Sequence, residues 1–137
     1  AEGGKTHVVC LYEVYEDPDA TFLVMERVDG DVLIDKLVQK KKYIEFDAKE
    51  LVRNLLRGVN HCHKHSIAIR NLTLDNLLLP RGTECDVIIT DFEIAKKVLH
   101  PKSLHTQCGT QEFVAPEVLE NKPCYDMSCD LWSTGVI

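Results

Sequence analysis

A chain of 137 residues with 45% hydrophobic and 28% charged residues has the size and make-up of one soluble globular domain rather than of a disordered segment. Its formal net charge of -6 speaks against a general affinity for nucleic acid or anionic membranes, because both polyanions attract basic surfaces. No apolar run approaches the ~20 residues of a membrane-spanning helix, and the opening AEGGKTHVVC holds no hydrophobic signal core, so the cytoplasm or nucleus is the expected compartment.

In chain order, HVVCLYEVYE and TFLVMERV are dense in β-branched, aromatic and aliphatic residues and flank the turn DPDA, which predicts an antiparallel hairpin. Gly30 is expected to break the second strand. DVLIDKLVQK then places Val32, Leu33, Leu37 and Val38 at helical spacing, so a short helix should follow. The run Lys40, Lys41, Lys42 is flanked by acids and reads as a solvated face rather than a binding patch. From Glu45 to about His65 a long amphipathic helix is predicted, with Leu51, Val52, Leu55, Leu56, Val59 and Cys62 on one stripe and Lys49, Arg53, Asn54, Arg57 and Asn60 opposite. Glu45, Asp47 and Glu50 near its start and Lys64 near its end agree with the helix dipole. In HCHKH, His61 and His65 are four apart and thus share a helix face; two imidazoles suit part of a metal site or simply the negative end of the dipole.

Farther on, NLLL and DVIIT joined by PRGTE predict a second small hairpin. From Phe92 to about Val114 no period persists, and Pro101, Gly109 and Pro116 punctuate a long functional loop. Order resumes at APEVLE. The final CDLWSTGVI is apolar and ends without a cap, as if the chain stopped inside an element. The six cysteines, Cys10, Cys62, Cys85, Cys108, Cys124 and Cys129, form no Cys-x-x-Cys pair and are expected as reduced thiols.

Four islands stand in order: IRNLTLDNLLL, VIITDFEIAKK, CGTQEFVAPEVL and DLWSTGVI. Together they resemble the eukaryotic protein kinase family, whose members carry H-R-D-x-x-x-x-N, D-F-G and A-P-E, then an aspartate ahead of tryptophan in a buried helix. The matching residues are Ile69, Arg70, Asn71 and Asn76; Asp91, Phe92 and Glu93; Ala115, Pro116 and Glu117; and Asp130 with Trp132. LYEVYEDPD, LVMERVDGD and FVAPEVL look most like the calcium/calmodulin-dependent branch. The resemblance implies a partial α+β kinase-like fold. Residues 1–28 would form the last strands of the small lobe and the start of the hinge, and residues 29–137 the first part of the mainly helical large lobe, to the start of its central helix.

Phosphoryl transfer needs ATP and acceptor held in line, charge neutralised by magnesium and a lysine, and the acceptor hydroxyl oriented. Asn71 occupies the place of the family's catalytic aspartate, and a carboxamide accepts a hydrogen bond without useful basicity. General-base assistance is worth roughly 100-fold to 10,000-fold, so severe impairment is expected. Thr73 falls where this class carries a phosphate-contacting lysine. Ile69 replaces a histidine that works chiefly as packing beneath the Phe92 position. Asn76 and Asp91 match the two magnesium ligands and offer hard oxygens, so ATP and Mg2+ binding is retained as an expectation. Glu93, in place of glycine, would either repel ATP or add a metal ligand.

By the same resemblance, Asp130 hydrogen-bonds the catalytic-loop backbone and Glu117 ties the activation segment to an arginine outside these residues. Arg70 would pair with a phosphate on Thr106, should that residue be modified rather than left bare. Met25 is the expected gatekeeper, Glu26 and Val28 the hinge backbone facing adenine, and Leu78 the residue beneath the ring. Val32 stands in place of a ribose- and peptide-contacting glutamate, and Gln111 in place of proline. The glycine-rich loop, the phosphate-holding lysine and its glutamate partner should precede residue 1, since AEGGKT lacks the G-x-x-x-x-G-K pattern. Three readings stay open: a serine/threonine pseudokinase that binds a regulatory protein partner, an atypical active kinase with a protein substrate, and a truncated product that does not fold alone.

Overall fold

The computed structural model describes residues 5–100, 102–120 and 124–137. Strands β1 (Leu11–Glu16) and β2 (Thr21–Met25) pair antiparallel, as the DPDA turn predicts. The turn closes because the Asp17 carboxylate accepts the backbone N–H groups of Asp19 at 2.9 Å and Ala20 at 2.8 Å, an Asx turn. Both faces of this hairpin are exposed; it joins the rest through Val9 N–H to Ile89 O at 3.0 Å and Ile89 N–H to His7 O at 2.9 Å.

Gly30 does not break the second strand, which already ends at Met25; it begins a new one. β3 (Gly30–Val32) pairs with β5 (Leu77–Pro80), which pairs with β6 (Ile88–Ile89), giving a three-stranded antiparallel sheet in the order β3-β5-β6. The reason is close approach: a Cβ at Gly30 would lie 1.9 Å from the Leu79 carbonyl oxygen, so only glycine lets the two backbones meet. Helix α1 (Leu33–Lys40) therefore starts after Val32 and not at Asp31. The second hairpin, β5 to β6, is the one read from NLLL and DVIIT.

Helix α2 (Glu45–Lys64) spans the length its periodicity predicts. Leu51, Leu55, Val59 and Cys62 are buried against Leu77, Leu79 and Ile89 of the sheet, each large side chain contributing about 1.5–3 kcal/mol. The buried stripe is narrower than expected, for Leu56 is exposed and Val52 only half-buried, whereas Asn54 turns inward and donates to Cys85 O at 2.9 Å. A second core gathers Ala68, Leu104, Ala115, Val118, Tyr125 and Cys129 around α3 (Pro116–Leu119) and α4 (Cys129–Val136). β4 (Ile67–Ala68), just after α2, pairs antiparallel with β7 (Lys96–Lys97), which lies inside the stretch from Phe92 to about Val114 that the sequence presents as unbroken loop. Two exposed lysines carry no strand periodicity, so β7 is set by its partner alone. No helix among the described residues is long and apolar enough to cross a membrane.

Candidate active site

Asp130, in the first turn of α4, is fully buried and aims its carboxylate at the loop after β4. One oxygen accepts the Arg70 N–H at 2.8 Å; the other accepts the Ile69 N–H at 2.9 Å and His63 Nε2–H at 2.8 Å. A buried carboxylate satisfied by three donors fixes the backbone it touches. Arg70 consequently sits at φ 67°, a left-handed conformation that costs about 1–3 kcal/mol unless its surroundings impose it. Ile69 beside it is fully buried in the first core, where Phe92 also packs, so the aliphatic replacement keeps that contact region apolar.

The strained turn delivers Asn71 to Asp91. Asn71 Nδ2 donates to Asp91 Oδ2 at 3.2 Å, and Asn71 Oδ1 accepts the Thr110 hydroxyl at 2.9 Å. Asn76, closing the 3-10 turn Leu74–Asn76, donates from Nδ2 both to Asn71 O and to Asp91 Oδ2, each at 3.0 Å. Asp91 is itself left-handed at φ 59°, stabilised by its own Oδ1 accepting the Glu93 N–H at 3.2 Å. Gly109, at φ 117°, lets the following Thr110 reach Asn71: a Cβ there would meet the Arg70 carbonyl at 2.9 Å. Asn76 and Asp91 carry the hard oxygens a magnesium ion takes, so the donor set fits that ion, although Asp91 Oδ2 already receives two amide N–H groups.

The Arg70 side chain points the other way. Nε donates to Ile94 O at 2.7 Å and Nη1 to the Tyr125 hydroxyl at 3.2 Å, while that hydroxyl donates to Thr106 O at 2.6 Å and receives Cys108 Sγ at 3.7 Å. Arg70 and the exposed Thr106 are thus linked through Tyr125. Burial pushes the Tyr125 phenol up to about 12, against the opposing pull of the Arg70 hydrogen bond. Burial likewise raises the Cys62 thiol to about 11 and the Cys129 thiol to about 12, with the Asp130 charge adding to both.

Thr73 is buried, so a longer side chain there would have to displace neighbours. Glu117 is half-buried in the first turn of α3. A cavity of about 640 Å3 brings Met25, Leu11 and Leu23 of the hairpin together with Asp91, Phe92 and Glu93. Glu26, Val28 and Leu78 do not line it. Glu26 instead ties off the hairpin base, its N–H donating to Cys10 O at 2.7 Å and its carboxylate accepting the Cys10 N–H at 3.3 Å. Val28 is half-buried, and Leu78 pairs in register with Val32 and Ile88. The His61 and His65 rings lie 4.6 Å apart, tilted by 48°, with His65 Nδ1 donating to His61 O at 2.8 Å; among the described residues no group of three His, Cys, Asp or Glu could hold a metal.

Sequence reasoning missed His63, Thr110 and Tyr125. Thr110 lies within an island already singled out, CGTQEF, but its hydroxyl's target is 39 residues away. His63 borders the buried α2 stripe, the one signal that it faces inward rather than only toward the helix end.

Comparison with known sequences adds a family match. The family described as protein kinase domain matches residues 2–137. A probable myosin light chain kinase of Dictyostelium discoideum is 45% identical over 135 residues, covering 98% of this chain and 43% of that protein. Myosin light chain kinase A of the same organism is 40% identical over 132 residues, 96% of this chain and 44% of that protein. Calcium/calmodulin-dependent protein kinase type 1 of Macrobrachium nipponense is 39% identical over 132 residues, 96% and 38% respectively. The chain thus spans under half the length of these relatives.

Proposed function

Because the chain belongs to the protein kinase domain family, on its calcium/calmodulin-dependent-kinase-like branch, we propose that it is a serine/threonine kinase-like domain impaired in phosphoryl transfer and acting through regulatory binding to a protein partner. In this reading residues 1–28 are the end of the small lobe and residues 29–137 the beginning of the large one. The observation that carries the reading is Asn71: it stands in the base position, and its carboxamide already donates to Asp91 and accepts from Thr110. A carboxamide takes up no proton from an acceptor hydroxyl near neutral pH. Thr73 supplies no cation to the transferring phosphate.

What remains is machinery for holding rather than transferring. Asp130 fixes the loop, and Asn76 with Asp91 would hold a magnesium ion, whose chemistry when bound is to neutralise nucleotide phosphate charge. The cavity beside Met25 and Asp91 adjoins the proposed magnesium site through Asp91, and its other walls come from the hairpin and the end of α2. Arg70, Tyr125 and Thr106 form the linkage through which phosphorylation would act on the activation segment.

A second reading, slow transfer by an atypical kinase, is favoured by the intact Asn76 to Asp91 pair, since positioning and electrostatics dominate this chemistry. Transfer of labelled phosphate by the full-length protein separates the two. The impaired reading expects at most trace turnover from the wild type and a gain of roughly 100-fold or more in Asn71→Asp with Thr73→Lys. Wild-type turnover that survives Asn71→Ala but not Asp91→Ala would establish transfer without a base.

A further inference from the structure

Among the described residues, the groups that hydrogen-bond the Asp91 carboxylate are neutral N–H donors. Oδ2 receives Asn71 Nδ2 at 3.2 Å and Asn76 Nδ2 at 3.0 Å, and Oδ1 receives the Glu93 N–H at 3.2 Å. The Asn71 amide is used at both ends, because its oxygen accepts Thr110 Oγ1 at 2.9 Å. That pairing has one sense only: a carboxylate offers no donor, so the NH2 must face Asp91 and the oxygen must face the hydroxyl. An aspartate of the same shape at 71 would set an oxygen where Nδ2 now lies, 3.2 Å from Asp91 Oδ2. Two carboxylates that close cannot both stay ionised without a cation between or beside them.

We propose that Asn71 takes over at Asp91 the place of a divalent cation: its N–H satisfies the carboxylate oxygen that faces it, so the cleft assembles without metal and metal alone adds little to its stability. This rests on the reading of the cleft as a kinase-derived nucleotide site, and goes beyond it by stating what asparagine contributes there. The substitution that removes a base also installs a donor. It converts a pair that requires a counter-ion into one that is self-satisfied.

The test is thermal unfolding of the full chain in EDTA and in millimolar Mg2+, without nucleotide, together with binding of Mn2+ alone followed by electron paramagnetic resonance. The wild type is expected to melt at the same temperature in both media and to bind Mn2+ weakly. Asn71→Asp is expected to melt about 4 °C or more lower in EDTA, to recover in Mg2+, and to bind Mn2+ at least about tenfold more tightly. The exchanged pair, Asn71→Asp with Asp91→Asn, restores one donor facing one acceptor and is expected to regain part of its stability in EDTA, the Asn76 N–H being left to face the new amide. Wild-type protein that gains as much from Mg2+ as Asn71→Asp does would overturn the proposal. So would an Asn71→Asp variant that melts like the wild type in EDTA or fails to recover in Mg2+. Phosphate transfer is measured separately, so turnover by the wild type would remove the impaired reading while the melting data still decide the role of Asn71.

Discussion

Replacing Asp130 by asparagine keeps the shape of the side chain and removes one acceptor. The native carboxylate receives three N–H donors, from Ile69, Arg70 and His63, and the longer Cys129 Sγ contact at 4.0 Å, at a position with no solvent exposure. An amide oxygen can serve one side of that arrangement, and the NH2 then confronts an N–H on the other. A buried donor left without its acceptor costs about 1–3 kcal/mol, and a hydrogen bond to a charged group contributes about 1.5–3 kcal/mol, so the loss should fall near 2–5 kcal/mol. Against a total of about 5–15 kcal/mol this is a large share, equivalent to a melting temperature lowered by roughly 10 °C or more. The single tryptophan, Trp132, lies on the same helix and reports unfolding by fluorescence. A local measurement is more telling. Because Asp130 holds Arg70 at φ 67°, the Ile69 and Arg70 amides should exchange with solvent faster than those of the α2 core in the variant. A variant melting within about 2 °C of the wild type, with both amides still protected, would refute the claim that this carboxylate organises the loop.

Two further outcomes follow from other parts of the site. Cys62, Cys129 and Tyr125 are all raised, to about 11, 12 and 12, above the ordinary 9.0 of a thiol and 10.0 of a phenol. The folded chain therefore keeps protons that the unfolded chain releases; this stabilisation is complete below pH 9.0 and is lost as pH rises through about 11 to 12. Urea midpoints should fall steadily over that alkaline window, and a flat profile would contradict the burial of these groups. Gly109→Ala should destabilise by more than about 1 kcal/mol, since it forces φ 117° on a Cβ that meets the Arg70 carbonyl at 2.9 Å. An unchanged denaturation midpoint would show that this turn relaxes freely.

The identity of the loop residues needed no structure. Asn71 has no useful basicity and Thr73 no charge, and both facts are properties of the side chain alone; it is the resemblance of IRNLTLDNLLL to the family motif that gives those two positions their proposed meaning. Helix α2 was equally legible, since a long stripe at helical spacing can bury its apolar face in only one way, and the β5 to β6 hairpin was marked by two apolar runs around a turn sequence. β3 was not, because the demand for glycine at position 30 comes from the Leu79 carbonyl, a neighbour 49 residues along the chain. The same holds within the site. His63 reaches Asp130 across 67 residues, Thr110 reaches Asn71 across 39, and Tyr125 reaches Arg70 across 55. A hydrogen bond exists only when donor and acceptor stand about 3 Å apart, and no local pattern encodes that distance between remote segments. The sequence by itself determined which chemistry Asn71 lacks; the tertiary structure alone decided that its amide would face Asp91 and what it could do there instead.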